Sequence, residues 1–243
     1  MKDHLLDLVE HTYDLGCIDL VKITGTDKTT VIDALAEDRS VVVQAKFSKP
    51  VPEFIGTFGM PNLAKLKILL NLGEYRENAE ITVSRQDRNG ESAPVGLHFE
   101  NVTHDFKNDY RFMTAEIVTE KLKTAKFRGA NWNIEFEPTV AGIQRLKMQA
   151  QANAEEATFH VKTDGNSLKF NFGDHSTHAG EFMFHAGVTG ALKHAWAYPV
   201  RQVISILDLT GDKVMRISDD GAAQITVNSG IAEYNYILPA QRK

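Results

Sequence analysis

The stretch NWNIEFEPTVAGIQRLKMQAQ, residues 131–151, changes its hydrophobic period halfway along, and that change opens the reading of the whole chain. Trp132, Ile134 and Phe136 alternate with polar neighbours, the two-residue period of a half-buried strand. Thr139 then opens an apolar-periodic stretch of helical spacing reaching about Gln151, with Val140, Ile143, Leu146 and Ala150 as one stripe. Three strands follow: Phe159 and Val161, then Leu168, Phe170 and Phe172 across the turn Asp164-Gly165-Asn166, then Phe182 and Phe184. Pro199 starts a second helix. After it come Asp212 to Ser218, the turn Asp219-Asp220-Gly221, Ala222 to Asn228, the turn Ser229-Gly230, and a last strand from Ile231 to Leu238.

The first half repeats this order in type, not in letters. A helix is expected from about His4 to Leu15, strands near residues 18–23, 29–35 and 40–47, and a second helix after Pro50 and Pro52. Three more strands lie near residues 79–85, 94–101 and 109–115, with Arg88-Asn89-Gly90 as a hairpin turn. Gly59 to Gly73 reads as an extra segment absent from the second half, and its Leu63, Leu66 and Leu70 suggest additional helix. The pattern is that of an α+β chain with two similar domains, 1–115 and 131–243, joined by a connector over 116–130.

The 243 residues carry 42% hydrophobic and 24% charged residues, the balance of a globular chain long enough to bury a real core. No apolar run approaches the roughly 20 residues of a spanning helix, and the N-terminus leads into an acidic amphipathic stretch with no signal-peptide character. A membrane partner is therefore not expected. The single cysteine, Cys17, permits no internal disulfide, and no metal-type cysteine spacing occurs. A reducing cytoplasm is the expected compartment, the host's if the protein is viral.

A net charge of −5 argues against a surface that coats nucleic acid everywhere, but the charge is uneven. Lys121, Lys123, Lys126 and Arg128 crowd the connector. Lys65, Lys67, Arg145, Lys147, Lys193 and Arg201 lie on or next to expected helices. In the helix after Pro199, Val200, Val203, Ile204 and Leu207 form the stripe expected to be buried, so Arg201, Gln202, Ser205 and Asp208 face away. In the helix after Thr139 the corresponding stripe leaves Arg145 outward and Lys147 at the edge, where its stem can snorkel.

One catalytic constellation stands out. Asp174-His175-Ser176-Thr177-His178, with His185 further on, has donors spaced as a hairpin metal site would need, which would suit a metal-dependent hydrolase built on His175 and His178. A polar loop between Gly173 and Gly180 accounts for the same residues. No glycine-rich phosphate loop, nucleophile elbow or His-Glu-x-x-His motif occurs, so the chain reads as a non-enzyme with no metal and no cofactor.

The run Pro199 to Leu207, the two tight strands flanking Asp219-Asp220-Gly221, and the ending Tyr234-Asn235-Tyr236-Ile237-Leu238-Pro239-Ala240 resemble DNA polymerase sliding clamps. The ending is similar to the Tyr-Leu-Ala-Pro tail of proliferating cell nuclear antigen (PCNA). The doubled plan resembles the two-domain clamps of T-even-type tailed bacteriophages across nearly the whole chain. The resemblance implies a homotrimer joined head to tail, with helices lining the ring interior, sheets outside and duplex DNA encircled without sequence preference. Lys65, Lys67, Arg145, Lys147, Lys193 and Arg201 would then face the DNA, and a few such cations suffice against phosphates spaced about 1.7 Å along the axis.

The resemblance also implies a DNA polymerase and a clamp loader as partners. Their peptide would dock in an apolar groove between the domains lined by Ile117, Val118, Leu122, Tyr236, Ile237, Leu238 and Pro239. Pro239 is expected to end the last strand so that the tail leaves the sheet. One departure stands against the pattern. Asp3, Asp7, Glu10 and Asp14 form an acidic face on the first helix opposite Leu5, Leu8, Val9 and Thr12, so that helix is turned, or the DNA path uses the other three, or the duplex is tilted. A β-rich acidic phage virion or scaffolding oligomer is the rival from another class.

Overall fold

The computed structural model describes residues 1–88, 90–123, 127–174 and 178–241. The chain divides into two units, Met1–Lys126 with Ser229–Tyr234, and Phe127–Asn228 with Asn235–Lys243.

The first unit begins with α1 (Lys2–Glu10), which turns Leu5, Leu8 and Val9 inward, and a 3-10 turn over Tyr13–Leu15. Strands β1 (Leu20–Gly25), β2 (Thr30–Leu35), β3 (Val42–Phe47) and β4 (Gly56–Pro61) form an antiparallel sheet in the order β4-β1-β2-β3. Their alternation buries Val21 and Ile23, Ile32 and Ala34, and Val43 and Ala45 on one face. Helix α2 (Leu63–Asn71) follows, its N-cap Asn62 accepting a hydrogen bond from the Lys65 N–H, with Leu63, Leu66, Leu69 and Leu70 buried. A second sheet, β5 (Glu80–Arg88), β6 (Glu91–Glu100) and β7 (Lys107–Arg111), leads into the short helix α3 (Ala115–Lys121).

The second unit opens with β8 (Ile134–Phe136) and α4 (Val140–Ala152), whose N-cap Thr139 accepts from the Gly142 N–H at 3.0 Å. Strands β9 (Thr158–Asp164), β10 (Ser167–Gly173), β11 (Ala179–Ala186) and β12 (Trp196–Pro199) form a sheet in the order β12-β9-β10-β11. Its core is aromatic: Phe170 stacks on Phe184 at 4.2 Å between ring centroids and lies 4.6 Å from Phe159. Helix α5 (Val200–Leu207), β13 (Asp212–Ser218), β14 (Ala222–Asn228) and β15 (Ala232–Pro239) complete the chain. Ala232–Tyr234 of β15 belong to the first unit, where the Ser48 N–H donates to the Ile231 carbonyl at 2.9 Å. In the second, the Asn235 carboxamide oxygen accepts from the Thr226 hydroxyl at 2.7 Å and the Gln224 amide at 2.9 Å.

The two halves thus share a helix, three antiparallel strands, a fourth strand, a helix and three strands, and β4-β1-β2-β3 matches β12-β9-β10-β11 in order. Both fourth strands, β4 and β12, show no two-residue period, because their inner residues are buried in runs, Phe58 to Met60 and Ala197 to Pro199. Pro50 and Pro52 start only a 3-10 turn, Pro52–Phe54. The helix of the supposed extra segment is α2, the counterpart of α5. Nothing is inserted: the proline-led turn and Gly56–Pro61 stand where a helix was expected.

Three face assignments also change. In α4, Val140 is exposed and the buried positions are Gly142 and Leu146, because a Cβ at residue 142 would lie 2.7 Å from the Phe184 carbonyl oxygen and the glycine is what lets helix meet sheet. In α5, Val203, Ile206 and Leu207 are buried, and Val200 and Ile204 only half-buried, a stripe rotated towards Ile206. On α1 the acidic face is incomplete, since Asp7 points inward. Its carboxylate accepts from the buried Tyr234 hydroxyl at 2.7 Å, and the buried His11 ring stacks on Tyr234 at 4.5 Å. A buried carboxylate is tolerable only with such partners. Among the described residues no helix is long and apolar enough to cross a membrane.

Candidate nucleic-acid interface and docking groove

In each unit the two long helices lie side by side, α1 against α2 and α4 against α5. Of the cations expected to face DNA, Lys65 on α2, Arg145 on α4 and Arg201 on α5 are exposed and make no ion pair among the described residues. Lys67 on α2 is held by Asp14 at 2.6 Å and sits 5.8 Å from the Tyr13 ring centroid. Lys147 on α4 is held by Asp208 at 2.5 Å. Lys193 is exposed in the loop between β11 and β12. Its backbone N–H, like that of His194, donates to the Asp219 carboxylate in the β13–β14 turn, at 2.9 and 3.1 Å.

The sheets carry paired acids on their exposed faces. Glu100 on β6 is held down to about 2 by Lys107, then by His104 and His98. Glu181 on β11 is likewise held to about 2 by Asn171, Lys169 and Lys162.

Helix α3, at the start of the stretch expected to be a connector, is part of the first unit. Val118 of α3 is fully buried and Leu122 nearly so, packed with Leu20, Leu35, Val42 and Met113. Gly59 on β4 makes room: a Cβ there would fall 2.8 Å from Val118 Cγ2, and Gly59 and Met113 exchange backbone hydrogen bonds of 2.8 and 2.9 Å. Ile117, on the other side of α3, is 51% exposed. Beside Leu122 a cavity of about 450 Å³ has an apolar floor of Leu20, Leu35, Pro61 and Met113, rimmed by Asp19, Glu37, Arg39 and Lys121.

The tail residues Tyr236, Ile237 and Leu238 are buried, and Pro239 is exposed. The chain does not swing free after Pro239. Ala240 N–H donates to the Gly221 carbonyl at 2.8 Å and Gln241 N–H to the Ala197 carbonyl at 2.9 Å. His175 lies outside the described residues, as do Lys126 and Asn89, while His178 is exposed just before β11.

Two apolar surfaces escaped the sequence reading. Helix α4 packs on β11, and there Met148 is 65% and Met183 41% exposed, flanking a groove shared with Arg145 and Phe182. Helix α2 packs by β7, where Ile68, Phe106 and Val102 are exposed. Met148 and Ile68 lie off their helices' buried stripes, the one signal that would have found them. By the internal repeat, β11 corresponds to β3 and β7 to β15. The latter two adjoin in the strand order, whereas β11 and β7 each end a sheet.

No protein-family model matches the sequence, and no curated protein is similar to it in sequence. Solved structures are similar in fold. PCNA from Thermococcus kodakaraensis has a TM-score of 0.65 at 14% identity over 99% of this chain and 97% of that one. PCNA from A. fulgidus, with the C-terminal region of FEN-1 bound, has a TM-score of 0.70 at 9% identity over 98% and 96%. The chain therefore has the PCNA-like clamp fold, with two similar domains.

Proposed function

We propose that the chain is a DNA polymerase processivity factor, a sliding clamp that closes as a homotrimer around duplex DNA and tethers the polymerase. The observation that carries this is the pair of open edges, β7 and β11, standing where the repeat joins β15 to β3. A head-to-tail contact of β7 on one copy with β11 on the next satisfies both edges and covers Ile68, Phe106, Met148 and Met183. Residues 1–115 and 131–243 are its two clamp domains and 116–130 its connector. Lys65, Arg145 and Arg201, with Lys67 and Lys147 behind their aspartates, provide a weak, sequence-independent phosphate contact, and the ring supplies retention by topology. Lys193, set in a loop, plays at most a peripheral part.

A peptide of the polymerase or clamp loader docks on the first unit at Ile117 and the apolar cavity beside Leu122; that a C-terminal region of FEN-1 binds A. fulgidus PCNA supports a peptide partner for this fold. Of the tail, Pro239 is the residue exposed to such a peptide. No catalytic role enters this reading.

Two measurements test it together. Sedimentation equilibrium at micromolar concentration gives the mass of three chains. A ring loaded on a nicked circular duplex survives added salt far longer than one on a linear duplex, where it slides off the end. A strictly monomeric protein, or equal lifetimes on both substrates, refutes it.

A further inference from the structure

Two of the five helix cations expected to face DNA are already neutralised from within the chain, and the device occurs once in each unit. In the first, Lys67 projects from α2 to Asp14, which lies just beyond α1. In the second the roles are exchanged: Lys147 projects from α4 to Asp208, the C-cap of α5, whose charge also acts on Lys213. An acid at the C-terminal end of a helix meets the negative end of the macrodipole, so Asp208 is a poor local choice there. A cation from the neighbouring helix offsets that cost. Both pairs stay in water, with side-chain exposures of 43 and 33% for Lys67 and Asp14, and 32 and 44% for Lys147 and Asp208. Exposed pairs of this kind are weak, and a phosphate oxygen can take the carboxylate's place.

We propose that Asp14 and Asp208 are resident competitors of DNA phosphate, setting the strength with which the helix faces grip the duplex. DNA binding gains free energy chiefly by releasing the cations condensed on phosphate. A lysine that must first leave an aspartate returns less of that gain, so each pair lowers both the affinity and its dependence on salt. The helix faces then hold DNA loosely enough to slide, while Lys65, Arg145 and Arg201 keep it centred. This inference rests on the DNA-encircling reading above.

The test is fluorescence anisotropy of a short blunt duplex titrated with the full chain across a salt series, with native mass checked for every variant. Asp14→Asn with Asp208→Asn should tighten binding about 1.5- to 5-fold per freed lysine. It should also steepen the slope of log K against log salt by up to about 1.8 per bound chain. Asp3→Asn, the same charge change at an exposed α1 position, should leave the slope as in the parent. In a Lys67→Ala background, Asp14→Asn should do no more than Asp3→Asn. The proposal is overturned if Asp14→Asn matches Asp3→Asn in the parent, or keeps its full effect without Lys67. If Arg145→Ala and Arg201→Ala also leave binding unchanged, the helix faces are not the DNA surface, and the clamp reading fails together with it.

Discussion

Placing a single methyl group at Gly59 is the sharpest probe of how α3 is held. An alanine Cβ would lie 2.8 Å from Val118 Cγ2, 2.9 Å from Val118 Cβ and 3.1 Å from Met113 Cβ. Overpacking of this kind costs about 1–3 kcal/mol. Restricting the unfolded chain by Gly→Ala returns about 0.4–1 kcal/mol, so a net loss of roughly 1–2 kcal/mol is expected. The strain can be relieved by lifting α3 away from β4, so the loss should appear first as local opening. Hydrogen exchange should quicken at the Val118 and Leu122 amides, which donate to Thr114 and Val118 carbonyls at 3.0 Å each, while the amides of β9 and β10 keep their protection. Val118→Ala alone should cost roughly 1.5–3 kcal/mol in lost burial and a residual cavity. Combined with Gly59→Ala it should cost less than the sum, with a coupling of about 1 kcal/mol or more in urea denaturation. Additive effects, or unchanged exchange in α3, would refute the close approach of α3 to β4 as the anchor of that helix.

Tyr234→Phe removes the hydroxyl that donates to buried Asp7, and should destabilise the first unit by about 1.5–3 kcal/mol in chemical denaturation; an effect below about 0.5 kcal/mol would mean that the His11 ring, 3.5 Å from the carboxylate, satisfies it instead. His98 on β6 is raised above its usual value, first by its hydrogen bond to Asp109 and further by Glu100. Its contribution to stability should be fully present below about pH 6.5 and fade as pH rises through the elevated folded value, so His98→Gln should flatten thermal stability across that window. On the proposed ring-closing surface, Met183→Glu sets a charge among apolar groups at the β11 edge, and if the protein is the proposed trimer it should shift the native mass to monomer without changing the far-UV circular dichroism. Ile117→Asp should weaken binding of a polymerase tail peptide by about 1–2 kcal/mol in calorimetry and leave trimer mass unchanged.

Most of the order of elements, though not β4, β12 or the place of α2, was legible in the sequence because it is written in local rules. Thr139 caps α4 as its hydroxyl chemistry allows, Gly221 takes the positive φ that its turn requires, and the alternation of Phe159, Val161, Phe170 and Phe172 marks β9 and β10 as half-buried strands. The doubling of that order needed little beyond these signals, while the clamp resemblance rested also on the run Pro199 to Leu207 and the ending Tyr234 to Ala240. Periodicity says which side chains share a face. It does not say where the neighbouring element will sit against that face, and so Ile206 displaced Ile204 inward, and Val140 was left in water where Gly142 met Phe184. Only tertiary structure decided that Asp7 turns in to Tyr234, that Lys67 and Lys147 are spoken for by Asp14 and Asp208, and that Val118 belongs to the core of the first unit. Each of these joins residues far apart in the chain, and the energy of a buried contact or an ion pair depends on a distance that no local pattern contains.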